Sequence, residues 1–281
     1  MAELTSRDAR RGDAVRSVVL HTVVVLGALA MLFPFVWAVI TSISPGSGLS
    51  ATPRLIPEDP SLTAYQQLFT DVPFGRVVLN SLGIAVVATV AQIVTSAMAA
   101  YAFSRLPFRG SGVLFGLYLV TMMIPFQVLI VPLFVEMKAL GQVDSYLGAV
   151  LPSLASGFGV FLLRQAVNQV PRELDEAATL DGAGHLRIFT QVVVPNIRPA
   201  IATLTVFAFM ASWNSFLWPL IILRSAERQT LPVALQALQG QYTTQWDVVM
   251  AGSVVSILPM LALYVFAQKY VVQGVASSGL K

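Results

Sequence analysis

Three carboxylates open a charged passage between two apolar segments of the chain. Glu173, Asp175 and Glu176 follow Pro171, which suits the first turn of a helix because its missing N–H group is not needed there. The positive end of a helix dipole favours carboxylates, so the chemistry that this spacing offers is the placement of charge at a helix start. Gly182 can adopt the left-handed conformation of a helix cap. The sequence therefore predicts a short helix that starts at Pro171 and ends before Gly182.

A second helical segment is predicted over 185–194, after the glycine. Leu186, Phe189 and Val193 fall on one face of this segment, and Pro195 is predicted to end it because proline disrupts a helix interior. The plainer alternative for the whole passage is a solvated loop with an amphipathic helix in it.

The chain lacks the sequence patterns of the common catalytic and nucleotide-binding sites. It has no Gly-x-x-x-x-Gly-Lys-Ser/Thr phosphate loop, no Gly-x-Ser-x-Gly and no His-Glu-x-x-His. It also has no cysteine, which excludes disulfides and thiolate metal sites. His21 has no carboxylate neighbour in the sequence, and Met122 and Met123 are expected to pack and not to bind metal. We predict a protein that is not an enzyme and that holds no cofactor or metal of its own.

The composition indicates a membrane protein. Hydrophobic residues make up 56% of the 281 positions, charged residues only 11%, and the mean hydropathy is +0.75. The isoelectric point near 9.4 could suggest nucleic-acid binding. However, the basic residues are scattered between apolar segments and form no patch, so no nucleic-acid partner is expected.

Six apolar segments are long enough to cross a bilayer, which requires about 20 residues in a helix. They are predicted over 18–43, 77–103, 112–134, 146–167, 200–223 and 248–270. The fold class is therefore predicted to be all-α, a polytopic membrane protein with six transmembrane helices in one domain over 18–281. A polar loop over 168–199 joins the fourth and fifth helices.

The segments before and after the first span are polar. An arginine-rich tail over 1–17 precedes it, and a proline-rich loop with a short helix over 62–69 follows it. A cleavable signal peptide is the alternative for the first span, with Ala28-Leu29-Ala30 as the processing site. The apolar run continues past that point through Trp37, so an uncleaved span is expected.

The lysines and arginines predict the orientation of the chain, because cytoplasmic loops carry an excess of positive charge. With both termini and the 168–199 loop in the cytoplasm, twelve basic residues lie on the cytoplasmic side and five on the other. The twelve are Arg7, Arg10, Arg11, Arg16, Arg105, Arg109, Arg164, Arg172, Arg187, Arg198, Lys269 and Lys281; the five are Arg54, Arg76, Lys138, Arg224 and Arg228.

Mildly polar stripes run along two of the spans. One contains Thr89, Gln92, Ser96 and Ala99, and the other contains Thr205, Ala208, Ser212 and Ser215. Small and hydroxyl residues let membrane helices approach closely and hydrogen-bond across their contact, so both stripes are predicted to pack helices. A solute path is the alternative.

The charged passage resembles the Glu-Ala-Ala cytoplasmic loop of ABC-type importer permeases. Glu176-Ala177-Ala178 is followed by three residues and Gly182, and after nine more residues by Val192-Val193-Val194-Pro195, in which two valines replace the usual Ile and Leu. The resemblance implies a short coupling helix that lies in a cleft of an ATP-hydrolysing subunit. The coupling residues that it implies are Glu176, Ala177, Ala178, Asp181, Gly182, Phe189 and Pro195.

Three further stretches are similar to the sugar-importer branch of that family, in particular to permeases of the maltose type. They are 213–220, 230–233 and 268–274; Ser215 replaces a common acidic residue, and the ending over 277–281 is altered, which puts its contact with the ATPase in doubt. Aromatic rings and amides suit the surfaces of a sugar. The predicted solute path contains Tyr118, Gln127, Trp213 and Asn214, with packing as the alternative for each.

The resemblance also implies partners and a location. The partners are a second related permease, two ATP-binding subunits that carry the ATP and Mg²⁺, an extracytoplasmic solute-binding protein and membrane lipid; the location is the inner or plasma membrane. The open alternatives are a permease for glycerol phosphate, an amino acid, phosphate or a peptide, a secondary transporter, and a membrane scaffold or sensor. The sequence does not identify the solute.

Overall fold

The computed structural model describes residues 2–46, 56–57, 59–71, 73–239 and 245–278, with side chains for all of these except 2–15, 71 and 269–278. In this part of the chain the regular structure is helical, and no strand is present. The α-helices are α1 (Ala2–Ser42), α2 (Thr63–Asp71), α3 (Phe74–Arg105), α4 (Ser111–Val120), α5 (Phe126–Ala139), α6 (Tyr146–Val150), α7 (Gly157–Gln169), α8 (Arg172–Leu180), α9 (His185–Ile188), α10 (Val194–Asn196), α11 (Arg198–Trp213), α12 (Leu217–Ile222), α13 (Leu231–Ala237) and α14 (Trp246–Ser278).

Three of the described helices are each long and apolar enough to cross a membrane. They are α1 from Arg16, α3, and α14 up to Gln268. Three bent pairs pass the same test together: Ser111–Met123 with Phe126–Ala139, Tyr146–Ser153 with Gly157–Gln169, and His185–Asn196 with Arg198–Trp213. Length and composition therefore allow up to six crossings, and the predicted all-α membrane fold is confirmed.

The third predicted span, 112–134, is not a continuous helix. The two helices on either side of Ile124 and Pro125 are bent by 101°. Ile124 is extended, with φ −83° and ψ 116°, because the residue before a proline is disfavoured in the helical region. The predicted span therefore corresponds to a bent pair of helices, which is long and apolar enough to cross a membrane when taken together.

The fourth and fifth predicted spans are also interrupted. The fourth bends by 48° just before α7, where Ser156 caps the new helix by accepting a hydrogen bond from the backbone N–H of Gly159. The fifth stops at Trp213, and α12 begins only at Leu217. Hydropathy located these segments, but it did not locate the breaks within them.

The polar segments near the N-terminus are partly helical. Helix α1 begins at Ala2, within the predicted tail, and its membrane-crossing part begins at Arg16. The short helix predicted over 62–69 is confirmed as α2. Some predicted features lie outside the described residues: Arg54, the residues from Gly279 to Lys281, and the side chains of Arg7, Arg10, Arg11 and of 269–278.

The chain divides into two compact units, and the first comprises residues 1–72 and 238–255. Within it the hydroxyl groups of Ser42 and Tyr65 lie 2.8 Å apart, joining the end of α1 to α2. The backbone N–H of Gly46 donates to the carboxylate of Asp247 at 3.2 Å. Polar contacts thus tie together the segments at this end of α1.

The second unit comprises residues 73–237 and 256–281, and α3 packs against α7 and α11 within it. One buried cluster lies near the end of α3 and another near its start. The first contains Ala97, Ala100, Tyr101, Leu163, Val167, Val170, Ile188, Val193, Ile197 and Leu204; the second contains Ile84, Ala88, Met137, Ala149, Val150, Trp218, Ile222 and Leu223.

The polar stripe predicted on α3 lies at a helix contact. Thr89 and Ser96 are buried, and a Cβ atom added at Gly159 of α7 would lie 2.4 Å from the Ser96 hydroxyl oxygen. A side chain at position 159 would therefore require Ser96 or one of the two helices to shift. This geometry agrees with the predicted packing role of the stripe.

Candidate functional site

The predicted polar helix is present as α8, which runs from Arg172 to Leu180. Pro171 is its N-cap residue, with an extended ψ of 136°, and Glu173 and Asp175 lie in its first turn. These carboxylates face the positive end of the helix dipole, as the sequence indicated. The predicted boundaries agree with the structure to within one residue.

Gly182 ends this helix in the conformation that the sequence predicts. Its φ is +80°, and two hydrogen bonds close around it: Gly182 N–H donates to the Thr179 carbonyl at 3.0 Å, and Ala183 N–H donates to the Ala178 carbonyl at 2.9 Å. This is the Schellman arrangement, which satisfies the last carbonyls of a helix. No atom lies within 4 Å of a Cβ built at Gly182. The turn therefore needs glycine for its backbone conformation, and no neighbour within the chain crowds the position.

A largely buried ion pair fixes α8 to the end of α3. Nε of Arg105 lies 2.6 Å from Oδ2 of Asp175, and the two side chains are only 7% and 16% exposed. The guanidinium also donates from Nη2 to the carbonyl oxygen of Val170 at 2.6 Å. Removing one partner of a buried pair leaves an uncompensated charge, which costs about 3–5 kcal/mol.

A second arginine makes the reciprocal contact. Arg172, the first residue of α8, donates from Nη2 to the backbone carbonyl of Ser104, the neighbour of Arg105, at 3.3 Å. Arg105 of α3 thus binds a carbonyl just before α8, and Arg172 of α8 binds a carbonyl near the end of α3. We call these contacts, made by Ser104, Arg105, Val170, Arg172 and Asp175, the α3–α8 clamp.

A cleft of about 500 Å³ lies beside the clamp. Its lining residues are Tyr101, Arg105, Arg172, Asp175, Glu176, Thr179, Leu180, His185 and Ile188. The Tyr101 hydroxyl is 3.4 Å from Nδ1 of His185, and the Tyr101 ring packs against Phe189 with 5.3 Å between centroids. Acidic, basic and apolar groups therefore meet in one concave surface next to α8.

Two leucines stand out from the surface on either side of the Gly182 turn. Leu180 is 90% exposed and Leu186 is 76% exposed. Full burial of one leucine side chain is worth about 1.5–3 kcal/mol, so a partner that covers both gains substantially. Neither leucine was identified from the sequence as a contact residue, although their positions just before and after Gly182 could have indicated it.

The segment after Gly184 is helical as predicted, but its winding differs. A π-helical turn over Phe189–Val193 interrupts it, and Pro195 lies within the short α10 without ending the helix; the break comes at Ile197. The prediction places Leu186 and Val193 on one face, but Leu186 is exposed whereas Val193 is fully buried. A π turn inserts an extra residue per turn, which shifts the face on which later residues lie.

The predicted coupling residues differ in their exposure. Glu176, Ala177, Asp181 and Gly182 are exposed, whereas Ala178 and Phe189 are partly buried against the cluster at the end of α3, and Pro195 is partly buried in α10. No sequence pattern indicated Arg105, Tyr101 or His185 as site residues, because they lie far from α8 in the chain or beyond its cap.

The four residues predicted for a solute path lie in different settings. Trp213 is 3% exposed, stacks on Phe209, and donates its indole N–H to the Ser256 carbonyl at 3.2 Å. Asn214 is exposed at the end of α11, Gln127 is exposed on α5, and Tyr118 is partly buried on α4. The described hydrogen bonds and ring contacts do not join these four side chains to one another. Their role in a path stays a prediction.

The start of α3, opposite the clamp, holds the segment over 225–231. Asn80 donates to the carbonyl oxygens of Glu227 and Gln229 at 2.9 and 3.0 Å and accepts from the Tyr146 hydroxyl at 2.8 Å. The buried backbone N–H of Leu231 donates to the Ser81 hydroxyl at 2.6 Å. An exposed ion pair between Arg76 and Glu227, at 3.1 Å, adds to these bonds.

Asp144 anchors the beginning of the same segment. Its carboxylate accepts hydrogen bonds from the Ser225 hydroxyl and from the backbone N–H groups of Ser225 and Arg224. These bonds, led by the one from the Ser225 hydroxyl and supplemented by the charge of Arg228, lower the pKa of Asp144 from 3.8 to about 2. Asp144 has φ +56°, a left-handed conformation that aspartate tolerates better than most residues.

Comparison with known proteins gives the family context of this geometry. The sequence profile of "Binding-protein-dependent transport system inner membrane component" matches residues 92–277. The chain is 34% identical to the arabinooligosaccharides transport system permease protein AraQ of Bacillus subtilis (strain 168), over 90% of this chain and 92% of the relative. It is 33% identical to the sn-glycerol-3-phosphate transport system permease protein UgpE of Pectobacterium atrosepticum, over 96% and 98%.

A solved structure is similar over almost the whole chain. It is a bacterial ABC transporter involved in the import of the acidic polysaccharide alginate, with a TM-score of 0.81 and 28% identity, covering 93% of this chain and 98% of the solved one. The profile match begins on α3 and includes all of α8 and the Gly182 turn.

Proposed function

The chain belongs to the family of binding-protein-dependent transport system inner membrane components, and from this membership we propose that it forms one half of the membrane path of an ATP-driven importer. The observation that carries the proposal is the exposed helix α8, which is capped by Gly182 and fixed by Asp175 to the end of a membrane span. A helix held this way presents a rigid surface to a second protein.

In the proposed assembly, α8 is the coupling helix and rests in a cleft of an ATP-hydrolysing subunit. The exposed Ala177 and the Gly182 turn permit close approach, and Glu176 offers a charge to a basic or hydroxyl group. Leu180 and Leu186 supply apolar area. The remaining coupling residues, Ala178, Asp181, Phe189 and Pro195, support this surface from the core side or cap it.

The proposed partners follow from the same role. The full importer contains a second related permease, two ATP-binding subunits and an extracytoplasmic solute-binding protein. In this assembly the ATP-binding subunits hold ATP and Mg²⁺, and the proposed role of this chain requires no catalytic site or cofactor of its own. The chain lies in the inner or plasma membrane with both termini and α8 in the cytoplasm, an orientation supported by the distribution of lysine and arginine.

ATP binding supplies the energy that switches the path between outward-open and inward-open packings. Shifting such an equilibrium from 1:99 to 99:1 requires about 5.5 kcal/mol of differential binding. In the proposal, α8 transmits closure of the ATP-binding pair to the membrane helices, because α8 follows α7 directly in the chain and is joined to α3 by the Arg105–Asp175 ion pair. The breaks at Pro125 and Asn214 divide the spans into short rigid pieces.

A sugar or sugar-like solute is the proposed cargo. The names of two similar proteins refer to arabinooligosaccharides and to the polysaccharide alginate, which supports carbohydrate. The stretches over 213–220 and 230–233 point the same way. A glycerol phosphate is the second candidate, since a relative of nearly equal identity is named for that solute. Tyr118, Gln127, Trp213 and Asn214 remain the proposed path residues.

Reconstitution of the chain with its partner subunits tests the proposal. Vesicles that contain the whole assembly should accumulate the solute of the binding protein only when ATP is supplied on the α8 side. Screening the isolated binding protein against sugars, polyols and glycerol phosphate identifies the solute. Uptake driven by an ion gradient without the ATP-binding subunits would refute the proposal and favour a secondary transporter; binding of partners without any uptake would favour a scaffold.

A further inference from the structure

Helix α3 makes polar contacts with neighbouring segments at both of its ends. Near its C-terminal end, Arg105 forms the α3–α8 clamp with Asp175 and the backbone of Val170. Near its N-terminal end, Asn80 and Ser81 hold the backbone of the segment over 225–231. The two sets of contacts lie on opposite ends of a single helix in the same compact unit.

The helix between these ends is unbroken. It contains 32 residues, which corresponds to a length of about 48 Å at 1.5 Å per residue. The other two long helices that the structure describes contain an internal proline, Pro34 in α1 and Pro259 in α14, whereas α3 contains none. The bent pairs change direction by 48° to 101°. Of the described segments that could cross a membrane, α3 is therefore the one with no proline and no break.

Breaking the contacts at either end costs free energy. The Arg105 and Asp175 side chains are largely buried, so if they separated, neither charge would be fully hydrated in place of its partner. At the other end, the N–H of Leu231 and the hydroxyl of Ser81 are buried together, and both hydrogens of the Asn80 amide are donated to carbonyl oxygens. The buried Leu231 N–H would pay the full desolvation penalty if it lost its acceptor, so this bond favours movement of the joined segments as one body, and the Asn80 bonds add to it.

We infer that α3 is a strut that transmits the position of the coupling helix to the segment over 225–231 on the opposite side of the membrane, with Arg105 and Asn80 as the positioning residues at its two ends. The inference rests on the proposed function, because α8 must be moved by an ATP-binding partner. It adds the route by which nucleotide state at one membrane face changes the other face. Asp144, which anchors Ser225, fixes the far end of the segment against the loop before α6.

The natural absence of cysteine makes a direct test practical. Ala226 is exposed within the held segment, so Ala226→Cys gives a single labelling site on the full chain in the complete assembly. The probe is the rate of maleimide labelling, compared between the nucleotide-free state and the state trapped with ATP and vanadate. With the strut intact we expect the two rates to differ by at least about fivefold, the lower end of typical coupling effects.

Two kinds of variant interrupt the strut at different ends. Asp175→Asn removes the charge that holds Arg105 while keeping the size of the side chain, and Asn80→Asp removes the two donors to Glu227 and Gln229. Either change should reduce the labelling difference to less than about twofold while ATP hydrolysis continues. Exchange of the two charges, Arg105→Asp with Asp175→Arg, should restore part of the difference. Glu136→Gln, the same carboxylate-to-amide change at an exposed position of α5, is the control.

The outcomes separate the strut from the proposed function. If the cysteine variant imports solute with ATP but Asp175→Asn and Asn80→Asp keep the full labelling difference, the strut is refuted and the importer proposal stands. If the assembly shows no ATP-dependent uptake at all, the proposed function itself fails. Should Asp175→Asn prevent assembly, Asn80→Asp decides alone, because its contacts lie away from α8.

Discussion

Ala183 donates its backbone N–H to the carbonyl oxygen of Ala178 at 2.9 Å, across a turn in which Gly182 has φ +80°. Together with the bond from the Gly182 N–H to the Thr179 carbonyl, this bond sets the direction in which the chain leaves α8. It also separates the exposed helix from the segment that returns to the membrane, so the shape of the proposed coupling surface depends on it.

Replacement of Gly182 distinguishes a backbone effect from a contact with a partner. Left-handed backbone costs about 1–2 kcal/mol for an ordinary residue but less for Asn or Asp, and the space around Gly182 is open within the chain. We therefore expect Gly182→Asn and Gly182→Asp to insert and fold normally. Both should nevertheless abolish ATP-driven uptake, because the added side chain meets the ATP-binding subunit. Normal uptake in Gly182→Asp would show that position 182 makes no close contact with the ATP-binding subunit.

The two exposed leucines should contribute to binding of the ATP-binding subunit. Leu180→Ser and Leu186→Ser each remove apolar area worth about 1.5–3 kcal/mol if fully covered, which corresponds to roughly a tenfold to hundredfold weaker association. Titration of the detergent-solubilised permease with purified ATP-binding subunit measures the effect. Leu140→Ser, at an exposed leucine at the end of α5, should leave the affinity unchanged. Equal affinities for all three variants would contradict the assignment.

Asp144 should hold the segment after Leu223 in place over the whole physiological pH range. Its pKa is about 2 in the folded chain, below its ordinary value of 3.8, so its contribution is fully present above about pH 4 and is lost as the pH falls towards 2. We expect hydrogen-exchange protection over 223–229 to be constant from pH 8 to about pH 5.

Substitution of Asp144 tests the same anchor at neutral pH. Asp144→Asn keeps the tolerance for left-handed backbone and one acceptor, whereas Asp144→Ala removes both. Hydrogen bonds to a charged group are worth about 1.5–3 kcal/mol each, so tryptic cleavage after Arg224 and Arg228 should accelerate in the order wild type, Asn, Ala. Identical cleavage in all three would show that the segment is held without Asp144.

The contact between α3 and α7 should not tolerate a methyl group. In Gly159→Ala the new Cβ atom would lie 2.4 Å from the Ser96 hydroxyl oxygen and 3.1 Å from its Cβ, so overpacking should destabilise the protein by about 1–3 kcal/mol. The double variant Ser96→Gly with Gly159→Ala should recover most of the loss. Gly83→Ala, with no atom within 4 Å of the added Cβ, is the control. Thermal unfolding in detergent measures all three, and an undisturbed Gly159→Ala would contradict the close approach.

Much of the fold could be predicted from the sequence because it depends on local properties. The apolar segment over 77–103 appears as α3, and the proline, acidic and glycine positions around α8 predicted both of its ends. Each of these features is decided by a few neighbouring residues.

The remaining features depend on contacts between distant parts of the chain or on backbone geometry that hydropathy does not encode. The pair Arg105–Asp175 joins segments separated by α4 to α7, and the burial of Trp213 depends on Ser256 in α14. The π turn over Phe189–Val193 shifts the face on which the residues after it lie, and the bend at Pro125 divides a segment of uniform apolarity. The orientation of the chain and the solute-path residues remain predictions.

The most direct test of the account is photo-cross-linking from position 180 in the assembled membrane complex. A benzophenone side chain in place of Leu180 should form its main adduct with the ATP-binding subunit, and the same label at Leu140 should not. Adducts from position 180 that contain only lipid, or that contain the extracytoplasmic solute-binding protein, would contradict the proposed role of α8 and its placement in the cytoplasm.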